Sequence, residues 1–346
     1  MRFPERFPPG RARVYLSGCT IDQPPLYAVT AGSAIYAVRM EVGTHIPVLL
    51  DEVLEALEPK PGQTLVDCTA GLGGHAAAIA RRLGPEGRVV LFDLDAANLA
   101  RAGEAVRMAL GNPDHVTPIH SSFAWIDREM TQRGLKADLL LADLGFASNQ
   151  MDDAARGFSF RQDGPLDMRL DPSGAVTAAD LIAELTEREL ADLIHRFGED
   201  RLARRIARAI VQARAERPVT TTGQLAAIVE RAYPAAARRG PIHPATRTFQ
   251  ALRIAVNDEI GNLESLLASI TREADHSTWL GRGARIAMIA FHSLEDRPIK
   301  HAFRALVEAG RAQFIHKKPV SASDEEIGRN VRARSAKLRA LKLNDG

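Results

Sequence analysis

Three short apolar runs, each closing on an aspartate, constrain this chain more than any other feature. They are Leu65-Val66-Asp67, Val89-Val90-Leu91-Phe92-Asp93 and Leu139-Leu140-Leu141-Ala142-Asp143. Unbroken apolar runs bounded by turn residues, with helix-length stretches between them, imply a parallel, doubly wound α/β sheet covered on both faces. Ligands of such sheets sit beyond the carboxyl ends of the strands. The three carboxylates are therefore expected to converge on one crevice.

What that crevice holds is suggested by the stretch after the first run, Cys68-Thr69-Ala70-Gly71-Leu72-Gly73-Gly74-His75, which leads into an alanine-rich helix from Ala76. A strand, a glycine turn and a helix start together offer backbone N–H groups and the positive end of a helix dipole. Gly71 and Gly73 let the backbone turn tightly and approach a nucleotide-like ligand. Asp93 closes the next strand, where a carboxylate can accept hydrogen bonds from ribose hydroxyls. The pattern Gly71-x-Gly73-x-x-Ala76 fits a loose dinucleotide fingerprint. Asp67-x-x-x-Gly71-x-Gly73 equally fits the acidic loop of S-adenosylmethionine enzymes, and a tight turn without a ligand is the structural alternative.

The rest of the chain bounds the choice. Its 346 residues suffice for one large domain with an insertion, and 45% hydrophobic with 25% charged residues predicts a sizeable core. Cys19 and Cys68 are the only cysteines, which fits a reducing, cytoplasmic setting and leaves no Cys/His metal cluster, so no metal is expected. No apolar run reaches the roughly twenty residues of a membrane span. Residues 1–43, interrupted by Pro4, Pro8, Pro9, Pro24 and Pro25, read as a poorly ordered extension, with Met40 as a candidate true start.

From His45 a helical pattern carries Val48, Leu49, Val53, Leu54 and Leu57. Helices are expected over 96–110 and from Phe123 and Trp125 to near Gly134, with a short strand at Val116–His120 between them. Strand signals then stop. Residues 150–245 read as an all-helical insertion with helices at Ala178–Phe197, Asp200–Ala215 and Thr222–Ala232. A long helix over Ala245–Glu273 returns to the sheet, Gly283–Phe291 is a further strand, and 312–318 with 336–343 form an antiparallel edge pair. The domains are thus 44–149 with 246–346, and 150–245.

Chemistry concentrates in a few stretches. In Asp143-Leu144-Gly145-Phe146, a carboxylate and the Leu144 carbonyl can accept hydrogen bonds from an exocyclic amine, whose lone pair is otherwise delocalised into its base. Phe146 can stack on an extruded base or pack in the core. The loop containing Arg156, Asp167 and Arg169 carries more charge and glycine than a connection needs, which favours substrate contact. His292-Ser293-Leu294-Glu295-Asp296-Arg297 is a polar cluster after a buried strand, in which Ser293 could equally cap a helix. Basic residues gather at Arg201, Arg204, Arg205 and Arg208, at Arg247 in the loop from His243 to Phe249, and at Arg329, Arg332, Arg334, Lys337 and Arg339. With a net charge of only +2, this segregation predicts a track for a polyanion such as RNA.

These residues resemble one family, the bacterial 16S rRNA cytosine-N4 methyltransferases (ribosomal RNA small subunit methyltransferase H). The matching stretches are His45 to Glu52, Thr69 to His75, Asp143 to Gly145, Arg156 to Arg169, Arg204 to Val211, His243 to Arg253, Phe291 to Arg297 and Arg332 to Ser335. The resemblance implies a class I S-adenosylmethionine-dependent methyltransferase, a Rossmann-like doubly wound sheet with an all-helical insertion. It implies methyl transfer from S-adenosyl-L-methionine to N4 of a decoding-centre cytidine of 16S rRNA, cytosine 1402 in rRNA numbering. Carried over by position, the cofactor contacts are Gly73, Gly74, His75, Asp93, Phe123, Asp143 and Gln150; Phe123 and Gln150 rest on the resemblance alone. The residues themselves assign catalysis to Asp143 and Phe146, the latter specific to this chain, and RNA contact to Arg156, Asp167, Arg169, Arg247, His292, Ser293 and Arg297. The partner is 16S rRNA within the small ribosomal subunit, with no membrane, and the resemblance leaves room for a homodimer. The chain departs from the family in having Phe146-Ala147-Ser148-Asn149-Gln150 where Val-Ser-Ser-Pro-Gln is usual. A dehydrogenase and a non-catalytic ribosome-assembly protein are the competing readings.

Overall fold

A computed structural model describes residues 47–235, 237–239 and 243–345. The expectations for residues 1–43, for Met40 and for His45 lie outside them. Helix α1 (Leu50–Leu57) precedes strand β1 (Thr64–Asp67), and α2 (Gly74–Leu83) leads to β2 (Arg88–Asp93). Helix α3 (Ala96–Leu110) then leads to β3 (Val116–His120), and α4 (Ile126–Gln132) to β4 (Ala137–Asp143). The next strand, β5 (Leu280–Ala290), comes more than a hundred residues later. The chain ends with β6 (Ala312–Phe314) and β7 (Lys337–Leu343).

The sheet order is β3-β2-β1-β4-β5-β7-β6. The first five strands are parallel; β7 runs antiparallel between β5 and β6. The strand order reverses at β1, where parallel sheets open a crevice at their carboxyl end. Side chains alternate across the sheet as the pleat requires. Leu65, Val89, Leu91, Leu139 and Leu141 pack with α1, α2 and α3 on one face. Val66, Val90, Phe92, Leu140 and Ala142 pack on the other, against α4 and two later helices. Both faces are buried, which is why the strands read as continuous apolar runs.

Between β4 and β5 lie α5 (Ser148–Asp152), α6 (Ala178–Glu184), α7 (Glu187–Gly198), α8 (Ala203–Glu216), α9 (Thr222–Ala232), α10 (Thr246–Asn257) and α11 (Glu259–His276). After β5 come α12 (Ser293–Glu308) and α13 (Asp324–Arg329). Helices α6 to α10 share a third hydrophobic cluster that includes Ile182, Leu190, Ile194, Ile206, Leu225 and Leu252.

Two expected helices are broken. The stretch Ala178–Phe197 divides at Leu185, because Thr186 starts α7: its hydroxyl accepts from the Glu189 amide at 3.2 Å while the Glu189 carboxylate accepts from the Thr186 amide at 2.9 Å. The stretch Ala245–Glu273 divides at Asp258, whose φ of 46° is left-handed. One straight helix could not serve both layers it bridges. Phe249 and Leu252 of α10 lie in the helical cluster, whereas Leu263 and Leu266 of α11 lie under the sheet.

Candidate active site at the carboxyl edge of the sheet

The glycine loop crosses from β1 to α2 above the point where the strand order reverses. Gly71 has φ 51°, and a Cβ there would sit in ordinary contact with the Ala147 Cβ at 3.8 Å, so its left-handed backbone rather than crowding calls for glycine. Gly73, at φ 82°, caps α2, and a Cβ on it would come within 2.8 Å of the Ala102 Cα. Its missing side chain therefore serves close packing of α2 on α3. Gly74 packs in the same way against Pro47, whose Cγ a Cβ would approach to 2.6 Å. No side chain caps α2 and its first turn holds no acid, so the positive end of its dipole faces the crevice uncompensated.

Asp93 holds this loop. Its Oδ2 accepts from the Gly71 amide at 2.7 Å and its Oδ1 from the Asp95 amide at 2.8 Å. Each oxygen retains a lone pair for a ligand hydroxyl. Asp95, absent from the sequence-based set, is the residue on which the surroundings meet. Buried at 3% exposure, it caps α3 through Oδ1, which accepts from Ala97 and Asn98. Its Oδ2 accepts from Gln150 Nε2 at 3.0 Å and from Arg156 Nη1 at 2.6 Å. These bonds hold its carboxyl below the ordinary range against the opposing effect of burial, the largest single influence on it.

Several expected ligand contacts are thereby engaged within the protein. Gln150 also accepts from the Ala147 amide at 2.9 Å, so its side chain closes the turn after β4 rather than reaching outward. Arg156 donates to the carbonyls of Arg169 and Leu170, each at 2.9 Å. Asp167 and Arg169 form a two-pronged pair at 2.8 and 2.6 Å, and Arg169 donates further to the Gly174 carbonyl. The charges of Arg156, Asp167 and Arg169 are thus paired within the protein, which ties the helical layer to the sheet. Phe123 opens the turn after β3, packed beside the cluster under the sheet.

Asp143 closes β4. Its amide donates to Thr69 Oγ1 at 2.7 Å, which ties the strand end to the glycine loop. Its Oδ2 lies 3.6 Å from His75 Nδ1, while its Oδ1 is buried with no hydrogen-bond partner. Burial, then the charges of Asp67 and Glu295, push its carboxyl well above the usual range. Burial raises Asp67 to about 7, opposed by hydrogen bonds from Thr69. It likewise raises Asp93 to about 6 and Glu295 to about 7. The His75 ring is buried, with Nε2 at 2.8 Å from the Val48 carbonyl, so its side chain faces inward; its backbone amide lies in the first turn of α2.

Beyond Asp143, Phe146 stacks on Phe158 at 5.1 Å with the rings 10° apart, and the Arg253 guanidinium lies 4.7 Å from its centre. In this conformation Phe146 is a packing residue of the helical layer, and base stacking would require it to give up a neighbour. Arg253 pairs with both oxygens of Glu259 at 2.8 Å. Glu259, His292 and Glu295 bring ligand-type atoms within 4.8 Å of one another, a convergence not visible in the sequence, but Arg253 already supplies that cluster with positive charge. Burial, followed by Arg253, lowers His292 to about 4, so the ring is neutral. Ser293 does not cap α12; His292 holds that position, and the Glu295 carboxylate accepts from the Phe291 amide at 2.8 Å. Ser293 donates instead to Glu199 at 2.6 Å, joined there by Arg297 at 3.2 Å, and Arg247 donates to the Glu199 carbonyl at 3.3 Å. These three remain at the surface.

The site suits the methyl donor expected from the sequence. The uncapped start of α2 can take a carboxylate, Asp93 a pair of ribose hydroxyls, and the buried carboxylates of Asp67 and Asp143 a cation. Fold and donor set together define a class I S-adenosylmethionine-dependent methyltransferase. The chain belongs to the MraW methylase family, whose model matches residues 43–344. It is 48% identical over 304 residues to ribosomal RNA small subunit methyltransferase H of Acidobacterium capsulatum, covering 87% of this chain and 99% of that one. It is 49% identical over 314 residues to the protein of the same name from Nitratidesulfovibrio vulgaris, covering 86% and 84%.

The raised carboxyls make stability depend on pH with a definite sign. Asp67, Asp93 and Glu295 titrate higher in the folded chain than the roughly pH 4 of the unfolded one, so between those values the folded form binds more protons. Stability from these groups is therefore present at the acid end and lost as pH rises through about 6 to 7. Urea unfolding across this window is expected to show that decline, with a shallower slope in Asp67→Asn. An unchanged slope in the variant would contradict the assignment.

Proposed function

We propose that this protein transfers the methyl group of S-adenosylmethionine to the exocyclic N4 of a decoding-centre cytidine in 16S rRNA, in the cytoplasm and on RNA of the small ribosomal subunit. The observation that carries the reading is Asp143 Oδ1, a buried carboxylate oxygen without a hydrogen-bond partner at the strand end beside the glycine loop. A buried acceptor left unpaired costs about 1–3 kcal/mol, so it marks the place where a ligand donor completes the site. An exocyclic amine is such a donor. The names of the curated relatives add the substrate class, small-subunit ribosomal RNA.

The bound donor supplies an electrophilic methyl group, and the protein's part is to position and polarise. Asp143 and the Leu144 carbonyl would each accept an N–H of the amine, which withdraws its lone pair from conjugation with the ring and directs it at the methyl carbon. Positioning of this kind can account for much of the acceleration of a two-substrate transfer. An acceptor on a ring carbon would instead require a nucleophile to add to the base. The one thiol among the described residues, Cys68, is buried, and burial pushes it well above its usual range. That favours the amine.

RNA would approach over surfaces of unpaired positive charge. Arg201, Arg204 and Arg205 are exposed and take part in no ion pair among the described residues. The latter two sit in the first turn of α8, where the helix dipole disfavours cations. Such an arrangement is unfavourable for the fold alone and strengthens the field felt by a polyanion. The segment 150–245 would then act as the RNA platform, and 44–149 with 246–346 as the catalytic domain.

A tritiated-methyl transfer assay on small subunits lacking this modification tests the reading. Label should map to N4 of one cytidine, and Asp143→Asn should lower the rate at least about a hundredfold. Label on a different atom, or full activity in the variant, would sink it. RNA binding carries a second expectation: replacing Arg201, Arg204 and Arg205 by alanine should reduce the slope of log affinity against log salt by about 2. An unchanged slope would move the RNA to another face.

A further inference from the structure

The inward-facing ring of His75 has a fixed tautomer. Its Nε2 lies 2.8 Å from the Val48 carbonyl, and a carbonyl only accepts, so Nε2 carries hydrogen. The chain holds that carbonyl in place. Leu49, next in sequence, is fully buried in a left-handed conformation with φ 53°, and its amide donates to Glu326 of α13 at 2.7 Å. The other nitrogen, Nδ1, therefore presents a lone pair when the ring is neutral and an N–H when it is charged, and it points at Asp143 Oδ2 from 3.6 Å. The opposite oxygen of that carboxylate is the unpartnered one. One oxygen of this residue is thus buried without a partner, and the other faces a histidine.

We infer that His75 is the proton partner of Asp143, the pair carrying one proton, on Oδ2 or on Nδ1, before methyl transfer and two protons after it, the two atoms closing from 3.6 Å as the proton passes. The inference rests on the methyl-transfer reading above. As the amine nitrogen forms its bond to the methyl carbon, the carbon–sulfur pair stays with sulfur, which becomes a neutral thioether. The methylated nitrogen gives its surplus proton to Asp143 Oδ1. With a proton already on the pair, the site then holds a neutral carboxyl beside a charged imidazole, whose two N–H groups face Asp143 and the Val48 carbonyl. One positive charge has moved from sulfur to His75, and the total is unchanged. The titratable groups around Asp143 are Asp67 from β1, Glu295 from α12 and His75 from α2. Two of the three are acids, which favours the charge that His75 gains. Because His75 acts through Asp143 and touches no reacting atom, it is a positioning residue.

The full-length protein can be tested in two ways. Nitrogen-15 NMR of labelled histidine should show the Nε2–H tautomer for His75, with a titration displaced in Asp143→Asn. Single-turnover transfer to small subunits by His75→Gln, which can still donate to the Val48 carbonyl, should fall about a hundredfold, with the acid limb of the pH profile displaced, since Asp143 then titrates without its partner. Its affinity for S-adenosylhomocysteine and its melting temperature should stay near wild type, and His75→Asn should share the phenotype. An Nδ1–H tautomer, or a titration indifferent to Asp143→Asn, would overturn the pairing. A wild-type rate and pH profile in His75→Gln would overturn the role. Absence of methyl transfer by the wild type, with the tautomer as described, would overturn the methyl-transfer reading instead.

Discussion

The carboxylate of Asp95 joins the parts of this protein that must act together. One oxygen caps α3, and the other receives Gln150 from the turn after β4 and Arg156 from the loop that begins the helical layer. Its amide in turn reaches Asp93, which holds the glycine loop through Gly71. Three stretches far apart in sequence, the glycine loop, residues 93–98 and residues 150–156, are thereby fixed around one buried acid. Removing one member of such a cluster leaves buried charge unpaired, so the network makes the relative placement of loop, strand end and helical layer stiff.

A second constraint is the concentration of acid at the carboxyl edge. Asp67, Asp93, Asp143 and Glu295 are all raised by burial, and the cationic counterweights among the described residues are Arg253 on the Glu295 side and the His75 ring beside Asp143. A pyrophosphate would meet these carboxylates unfavourably, whereas a donor carrying a sulfonium and an ammonium would relieve them. The charge pattern thus separates the two cofactor classes that the glycine loop alone leaves level, in agreement with membership of a methylase family. The dehydrogenase reading fails on both counts.

Much of the sheet was legible because burial on both faces writes itself as continuous apolar runs, and strand ends in this topology carry their acids in sequence. The antiparallel pair β6–β7 was legible on other grounds: β7 alternates buried and less buried residues, as a strand near the sheet edge does. Asp95 was not: its partners lie 55 and 61 residues away, and the only local sign is an aspartate two places after a strand end, before a helix. Charge in a sequence also does not say whom it meets. Arg156 and Arg169 read as ligand contacts, and their partners within the protein, Asp95 and Asp167, could not be read from the sequence. The break at Thr186 had a readable signal in Thr186-x-x-Glu189, whereas the break at Asp258 depends on two layers competing for one helix. Helix α13 was missed because six residues carry too little period, although Ser323-x-x-Glu326 marks its start.

The central claim is that the crevice beyond β1, β2 and β4 holds an adenosyl methyl donor with Asp93 at its ribose. Calorimetric titration of the full-length protein and of Asp93→Ala with S-adenosylhomocysteine and with NAD tests this most directly. S-adenosylhomocysteine should bind the wild type saturably, at least about tenfold more weakly in Asp93→Ala, and NAD should give no heat. Binding of NAD, or S-adenosylhomocysteine affinity indifferent to Asp93, would contradict it.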